Sequence, residues 1–142
     1  MIDRQSGRIL AIDWGTKRIG LALSDAERIL ASPYATLEFS PHICLPRIGE
    51  IILEEGVSLI VIGLPINMDG SEGESAKAVR EFAASLECLQ VPVQLVDERL
   101  SSYTAEQRLR EGGKKPSRKK ALVDRAAAAV ILQDYLDQLK RE

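Results

Sequence analysis

The chain has 142 residues, of which 45% are hydrophobic and 28% charged, and its formal net charge is −2. This length and apolar content suit one domain, residues 1–142, around a single packed core, and the near-balanced charge carries no global mark of a nucleic-acid or membrane-surface binder. Cys44 and Cys88 lack CxxC spacing and histidine partners, which argues against a zinc site or a disulfide-stapled secreted domain and reads as core thiols in a reducing compartment.

Arg8 to Trp14 opens with a short apolar run. Arg18 to Ser24 alternates, with Ile19, Leu21 and Leu23 on one face, and Ile29 to Phe39 is a third extended stretch. Three strands in succession predict antiparallel hairpins with turns at GTK and DAER. A helix is expected from Pro41 to about Gly56, with Leu45, Ile48 and Ile52 at spacings of 3 and 4. VSLIVIG, Val57 to Gly63, is apolar on both faces, as a buried parallel strand requires. After the turn-rich LPINMDGSEG, Ser71 and Glu74 form a capping-box pattern that places a helix from about Glu72 to Cys88. VPVQLVDE reads as a strand ending at Glu98. A helix follows over about Ser102 to Glu111, stopped by Gly112 and Gly113, and a last helix, capped by Ser117, runs from Arg118 to about Leu139. The order βββαβαβαα predicts an α/β fold: a mixed five-stranded sheet, three strands antiparallel and two reached by parallel crossovers, flanked by helices on both faces. The polar start MIDRQSG and apolar runs too short for a bilayer predict a cytoplasmic protein without membrane contact.

Three carboxylates stand where a core pattern does not call for charge. Asp13 ends the first strand and Glu98 the last, at the carboxyl edge where open α/β sheets gather ligands. Either one alone reads as a turn former or a helix cap. Asp124 heads the stripe Asp124, Ala128, Ile131, Tyr135, so an acid shares the helix face that packs on the sheet, and Ala126 to Ala129 permit a close approach. Such a charge is either neutralised by Arg125 or another basic residue, or it meets the other two acids. Three converging carboxylates without histidine or thiolate suit Mg²⁺ or Mn²⁺, with Asp13, Glu98 and Asp124 as metal ligands and catalytic groups of phosphodiester hydrolysis. His42, the single histidine, follows a proline at a helix start and reads as an ordinary surface residue.

The net charge hides an asymmetry. From Arg108 to Arg125 there are eight basic residues against Glu111 and Asp124. A run of this kind is often only a solvated loop, but this one leads into the helix that carries Asp124. Lys114, Lys115, Arg118, Lys119 and Lys120, with Lys17 and Arg18 near the first strand and Arg99 after the last, are therefore candidate phosphate-backbone contacts. In the turns, Gly15, Asn67, Gly70 and Ser71 are candidates for touching a phosphate through loop N–H groups at a strand-to-helix junction.

DWGTKRIGLALSD, GLPINMDGSEGESAKAVREFA, VDERLSSYTAEQRL and SRKKALVDRAAAAVILQDYLD, in this order and at these spacings, resemble the YqgF, or RuvX, family of RuvC-like nucleases, from about Ile9 to Leu136. The resemblance implies an RNase H-like fold, a divalent-metal-dependent phosphodiesterase, and a bacterial cytoplasmic role in maturing the 5′ end of the small-subunit ribosomal RNA precursor; members have also been described as Holliday junction resolvases. It carries the acidic site onto Asp13, Glu98 and Asp124. RuvC-type resolvases use a fourth acid on the last helix, and the position three residues after Asp124 is Ala127 here. The implied partners are structured RNA, such as pre-rRNA or ribosomal particles, or branched DNA, acted on by a monomer or a homodimer. Two other classes of reading stand beside the nuclease: a non-catalytic nucleic-acid binding module, and a relative of actin-like ATPases through DxGT. The ATPases need a second lobe that 142 residues do not supply.

Overall fold

The computed structural model describes residues 7–98 and 117–140, giving only the backbone at Pro41 and at 117–123. Its elements are β1 (Arg8–Trp14), β2 (Arg18–Ser24), β3 (Ala31–Glu38), α1 (Pro41–Glu55), β4 (Val57–Leu64), α2 (Glu74–Leu86), a 3₁₀ turn (Glu87–Leu89), β5 (Val93–Asp97) and α3 (Ser117–Lys140). The helix expected over 102–111, with its glycine stop, lies outside the described residues.

One sheet takes the order β3-β2-β1-β4-β5. β1, β2 and β3 pair antiparallel, while β4 lies parallel to β1 and β5 parallel to β4. This is the mixed five-stranded sheet that the apolar patterning calls for.

Strand alternation divides the core between the two faces. Leu10, Ile12, Ile19, Leu21, Ile60 and Ile62 pack with Cys44, Ile48 and Ile51 of α1 and with Ala76, Val79 and Phe82 of α2. Ile9, Ala11, Ala22 and Val61 face the other way, onto Ala128, Leu132, Tyr135 and Leu136 of α3. The small residues at 11, 22 and 128 bring α3 close to the centre of the sheet. On α3 the stripe from Asp124 is kept: Ala128, Ile131 and Tyr135 are all buried.

Two local expectations are corrected. Gly73, not Ser71, is the N-cap of α2, which begins at Glu74 with no side-chain cap. An isolated bridge between Ile66 and Glu72 folds this loop back on itself. The Ser71 hydroxyl donates to Asp69 Oδ1 at 2.6 Å, so it is engaged three residues before the helix begins. Cys44 is buried as expected, but Cys88 is exposed. The 3₁₀ turn carries it past the buried stripe of α2, and its thiol donates to the Ser85 carbonyl at 3.2 Å.

Gln133 ties α3 to the β2–β3 hairpin. Its Oε1 accepts from the Ala31 N–H at 2.9 Å, and its Nε2 donates to the Ile29 carbonyl at 3.1 Å. Gln133→Ala removes both bonds and is expected to lower stability by about 1–2 kcal/mol in urea unfolding. A loss under about 0.5 kcal/mol would mean that water replaces them at no cost.

Candidate active site at the carboxyl ends of β1 and β5

Asp13 is the first residue on the α3 face of β1 that is not apolar, and it lies at the strand's carboxyl end. Its partner on β2 is Gly20. Beyond the Ile12–Ile62 pair, the neighbouring position on β4 is Gly63. Asp13 therefore stands between two strand glycines, and glycine inside a strand marks a place where another group approaches closely.

Each glycine makes room for one part of the site. A Cβ on Gly63 would overlap the Glu98 carboxylate, so the missing side chain is the space through which Glu98 reaches across from the end of β5. A Cβ on Gly20 would overlap the Asp124 carbonyl group and come within 2.8 Å of the Arg125 nitrogen. The backbone of α3 therefore rests directly on β2 at Asp124. The expectation that small residues let this helix approach the sheet is met, but the decisive small residue is on the strand.

Asp13 and Glu98 meet. Their carboxyl groups are hydrogen-bonded, and both titrate above the usual carboxylate range. Asp13 is pushed well up, first by burial, then by the charges of Glu98 and Asp124, and by the hydrogen bond itself. Glu98 is raised by burial and by the charge of Asp97, while the bond from Asp13 works in the opposite direction. The two carboxyl groups therefore titrate as a pair, with burial and mutual repulsion disfavouring the doubly charged state.

Asp124 comes to the same place by a different arrangement. Its charge is felt at Asp13, but Arg18 Nε donates to its Oδ2 at 3.1 Å. Each side chain of that ion pair is 28% exposed. Of the two fates open to Asp124, neutralisation by a basic residue and convergence with the other acids, the structure has the first in its side chain and the second in its position. In keeping with this, no three acidic, histidine or cysteine side chains among the described residues form a ready-made metal-ligand group.

The sequence model of the RuvX family, described as a Holliday junction resolvase, matches residues 7–138. The chain belongs to the RuvX family. A relative in Chloroflexus aurantiacus named "Putative pre-16S rRNA nuclease" is 47% identical over 131 residues, covering 91% of this chain and 86% of its own. One of the same name in Maridesulfovibrio salexigens is 45% identical over 131 residues, covering 91% and 97%. Among solved structures, "T. thermophilus RuvC in complex with Holliday junction substrate" aligns with a TM-score of 0.54 at 15% identity, over 94% of this chain and 96% of that one. At that identity the likeness is one of fold, and it identifies the RuvX sheet as RuvC-like, of the RNase H type.

The donor set of this RuvX chain fits a hard divalent cation. Two carboxyl groups are brought together in a poorly solvated notch, and a cation would relieve the repulsion between their charged forms. Mg²⁺ in particular takes one or two carboxylates and fills its remaining positions with water and phosphate oxygens.

The remaining candidates are dispersed. Lys17 is exposed in the turn between β1 and β2, and Arg18 begins β2. Gly15 has a structural reason in that turn, since a Cβ there would lie 2.6 Å from the Arg18 carbonyl oxygen. In the loop after β4, Gly70 N–H donates to the Asn67 carbonyl at 2.8 Å, and Asn67 Nδ2 donates to the Ser71 hydroxyl at 3.0 Å. Those loop groups bond to one another in this structure. Arg99, Lys114 and Lys115, and the side chains of Arg118, Lys119 and Lys120, lie outside the described residues. His42 is exposed, as expected of a surface residue.

Sequence reading missed Gly20 and Gly63 as site residues and assigned Arg18 to phosphate alone. The glycines had a signal: each interrupts an otherwise apolar strand, at RIGLALS and VSLIVIGL.

No helix among the described residues is long and apolar enough to cross a membrane.

Proposed function

We propose that this RuvX chain is a divalent-metal-dependent endonuclease that matures the 5′ end of the small-subunit ribosomal RNA precursor in the cytoplasm, acting through one domain. Asp13, Glu98 and Asp124 are its metal-holding carboxylates. The observation that carries the reading is the Asp13–Glu98 pair, two buried carboxyl groups brought into contact at the sheet's carboxyl edge, where Glu98 lies over Gly63. An isolated structural acid has no reason to be driven against a second one, whereas a cation site does.

A bound Mg²⁺ or Mn²⁺ supplies positive charge against the phosphoryl oxygens and lowers the pKa of attacking water. The chain's own residues do the rest. Asp13 and Glu98 would hold the cation through carboxylate oxygens fixed by the Gly20 and Gly63 notch. Ile9, Ala11 and Val61, all fully buried on the same sheet face, keep water from beneath the site. Lys17, Arg18, Arg99, Lys114, Lys115, Arg118, Lys119 and Lys120 are proposed to hold backbone phosphates, binding without reading sequence and weakening steeply with salt.

Two features favour the RNA precursor over the four-way junction. The relatives carry the precursor in their name, and Ala127, fully buried, stands where RuvC-type resolvases place a fourth acid. Incubating the protein and Mg²⁺ or Mn²⁺ with an end-labelled precursor bearing its 5′ flank, and separately with a four-way DNA junction, distinguishes them. Cleavage within the 5′ flank is expected, with little on the junction. Symmetric cuts in the junction alone would establish the resolvase instead, and binding of either without cleavage would leave a binding module.

A further inference from the structure

The Arg18–Asp124 ion pair has a role that charge neutralisation alone does not explain. A carboxylate at Asp124 has water available, since the side chain is 28% exposed, and does not need a salt bridge to be tolerated there. The chain nevertheless commits a guanidinium to it across 106 residues, from the first residue of β2 to α3. The contact is a single bond through Nε, not a two-pronged grip. Its partner Asp124 sits where α3 touches β2 at Gly20, and Gly20 is paired in register with Asp13. Asp124 is thus held near the carboxyl pair by its backbone, with its side chain bonded to Arg18.

We infer that Arg18 is a positioning residue that occupies Asp124 in place of a cation, holding the third carboxylate in reserve until a divalent ion or a substrate phosphate takes over one partner of the ion pair. The inference rests on reading Asp13, Glu98 and Asp124 as the metal-holding set. The guanidinium offsets the negative charge of Asp124 through the bond from Nε to Oδ2. A divalent ion carries twice the charge of Arg18, and a partly exposed single-bonded pair is weak enough to yield to it. Arg18, once released, lies at the mouth of the site with all its donors available to a phosphate, for which its planar fork is suited. A phosphate that draws Arg18 away likewise frees Asp124, so substrate and metal favour each other's binding.

Calorimetric titration of the full chain with Mn²⁺, without nucleic acid, tests this with four proteins besides wild type: Arg18→Ala, Arg18→Lys, Asp124→Asn and the Arg18→Ala/Asp124→Asn double variant. Arg18→Ala is expected to bind Mn²⁺ about fivefold more tightly than wild type, the scale of one partly exposed ion pair. Arg18→Lys keeps the charge and should fall back toward wild type. In the Asp124→Asn background, removing Arg18 should change affinity by less than about twofold, because the carboxylate it restrains is gone. Affinity unchanged or weakened in Arg18→Ala overturns the proposal, and so does equal tightening in both backgrounds, which would reduce Arg18 to a distant repulsive charge. If Arg18→Ala unfolds early in a thermal melt, Arg18→Gln replaces it in the same cycle. Failure of the underlying reading looks different: wild type and Asp13→Asn would then bind Mn²⁺ equally, or neither would bind it.

Discussion

Asp13→Asn is expected to abolish phosphodiester cleavage and, in metal-free protein near neutral pH, to raise the melting temperature. Asp13 titrates well above its usual value because it is buried against Glu98 and near Asp124. The sign of its effect on stability follows. Below the pKa of the unfolded chain, about 3.9, folded and unfolded states both carry the proton and there is no penalty. Above it the unfolded chain releases the proton while the folded protein retains it, so stability falls as pH rises through this window, and the full loss is reached above the folded pKa. Asparagine has no proton to lose and still offers an N–H donor to Glu98. The variant should therefore gain over wild type progressively from about pH 4 upward, with a higher melting temperature at neutral pH. Mg²⁺ or Mn²⁺ should narrow the gap, because it stabilises the wild-type site and not the variant's. Differential scanning at several pH values, with metal and with chelator, reads all of this. A variant less stable than wild type under chelator would mean that Asp13 is an ordinary structural acid.

Gly20→Ala has the opposite consequence. The added Cβ would overlap the Asp124 carbonyl group, which is helix backbone and cannot step aside as a flexible side-chain end can. Either α3 lifts away or β2 bends. Lifting α3 loosens the packing of Ala128, Leu132 and Leu136, all fully buried against the sheet. The expected cost is about 3 kcal/mol or more, some 10 °C in melting temperature, with loss of cleavage as Asp124 leaves the site. Gly63→Ala is the informative comparison. There the obstructing group is the Glu98 side chain, which can rotate out, so stability should change far less while metal binding is lost. Equal destabilisation by the two alanines would mean that the notch is only a packing feature.

The fold was largely legible because its two periodicities are clean. Alternation in RIGLALS, two-sided apolarity in VSLIVIGL and the spacings of 3 and 4 on the helices place nearly every described element within a few residues. The errors share one cause, competition among polar groups at element ends. Ser71 matched the capping pattern, yet Asp69 and Asn67 claim its hydroxyl first. Cys88 was read as a core thiol at the end of α2, but the helix tightens into a 3₁₀ turn just before it. In the site, the oddness of Asp13, Glu98 and Asp124 was visible as charge in apolar positions. Invisible was that two of them would meet carboxyl to carboxyl while the third was held by Arg18, since that depends on side-chain directions across elements more than 80 residues apart. The glycines that admit these groups have no side chain to announce themselves, only a gap in an apolar strand.

The central claim is that the paired carboxylates of this RuvX chain are a metal site for cutting nucleic acid. Single-turnover cleavage of the 5′-flanked ribosomal RNA precursor tests it most directly, comparing wild type with Glu98→Gln in excess Mg²⁺ and wild type with chelator. Glu98→Gln keeps the size of the side chain over Gly63 and removes only its charge. Cleavage by wild type with Mg²⁺, and a loss of at least about a thousandfold in both other reactions, is the result predicted. Equal rates in all three would contradict it.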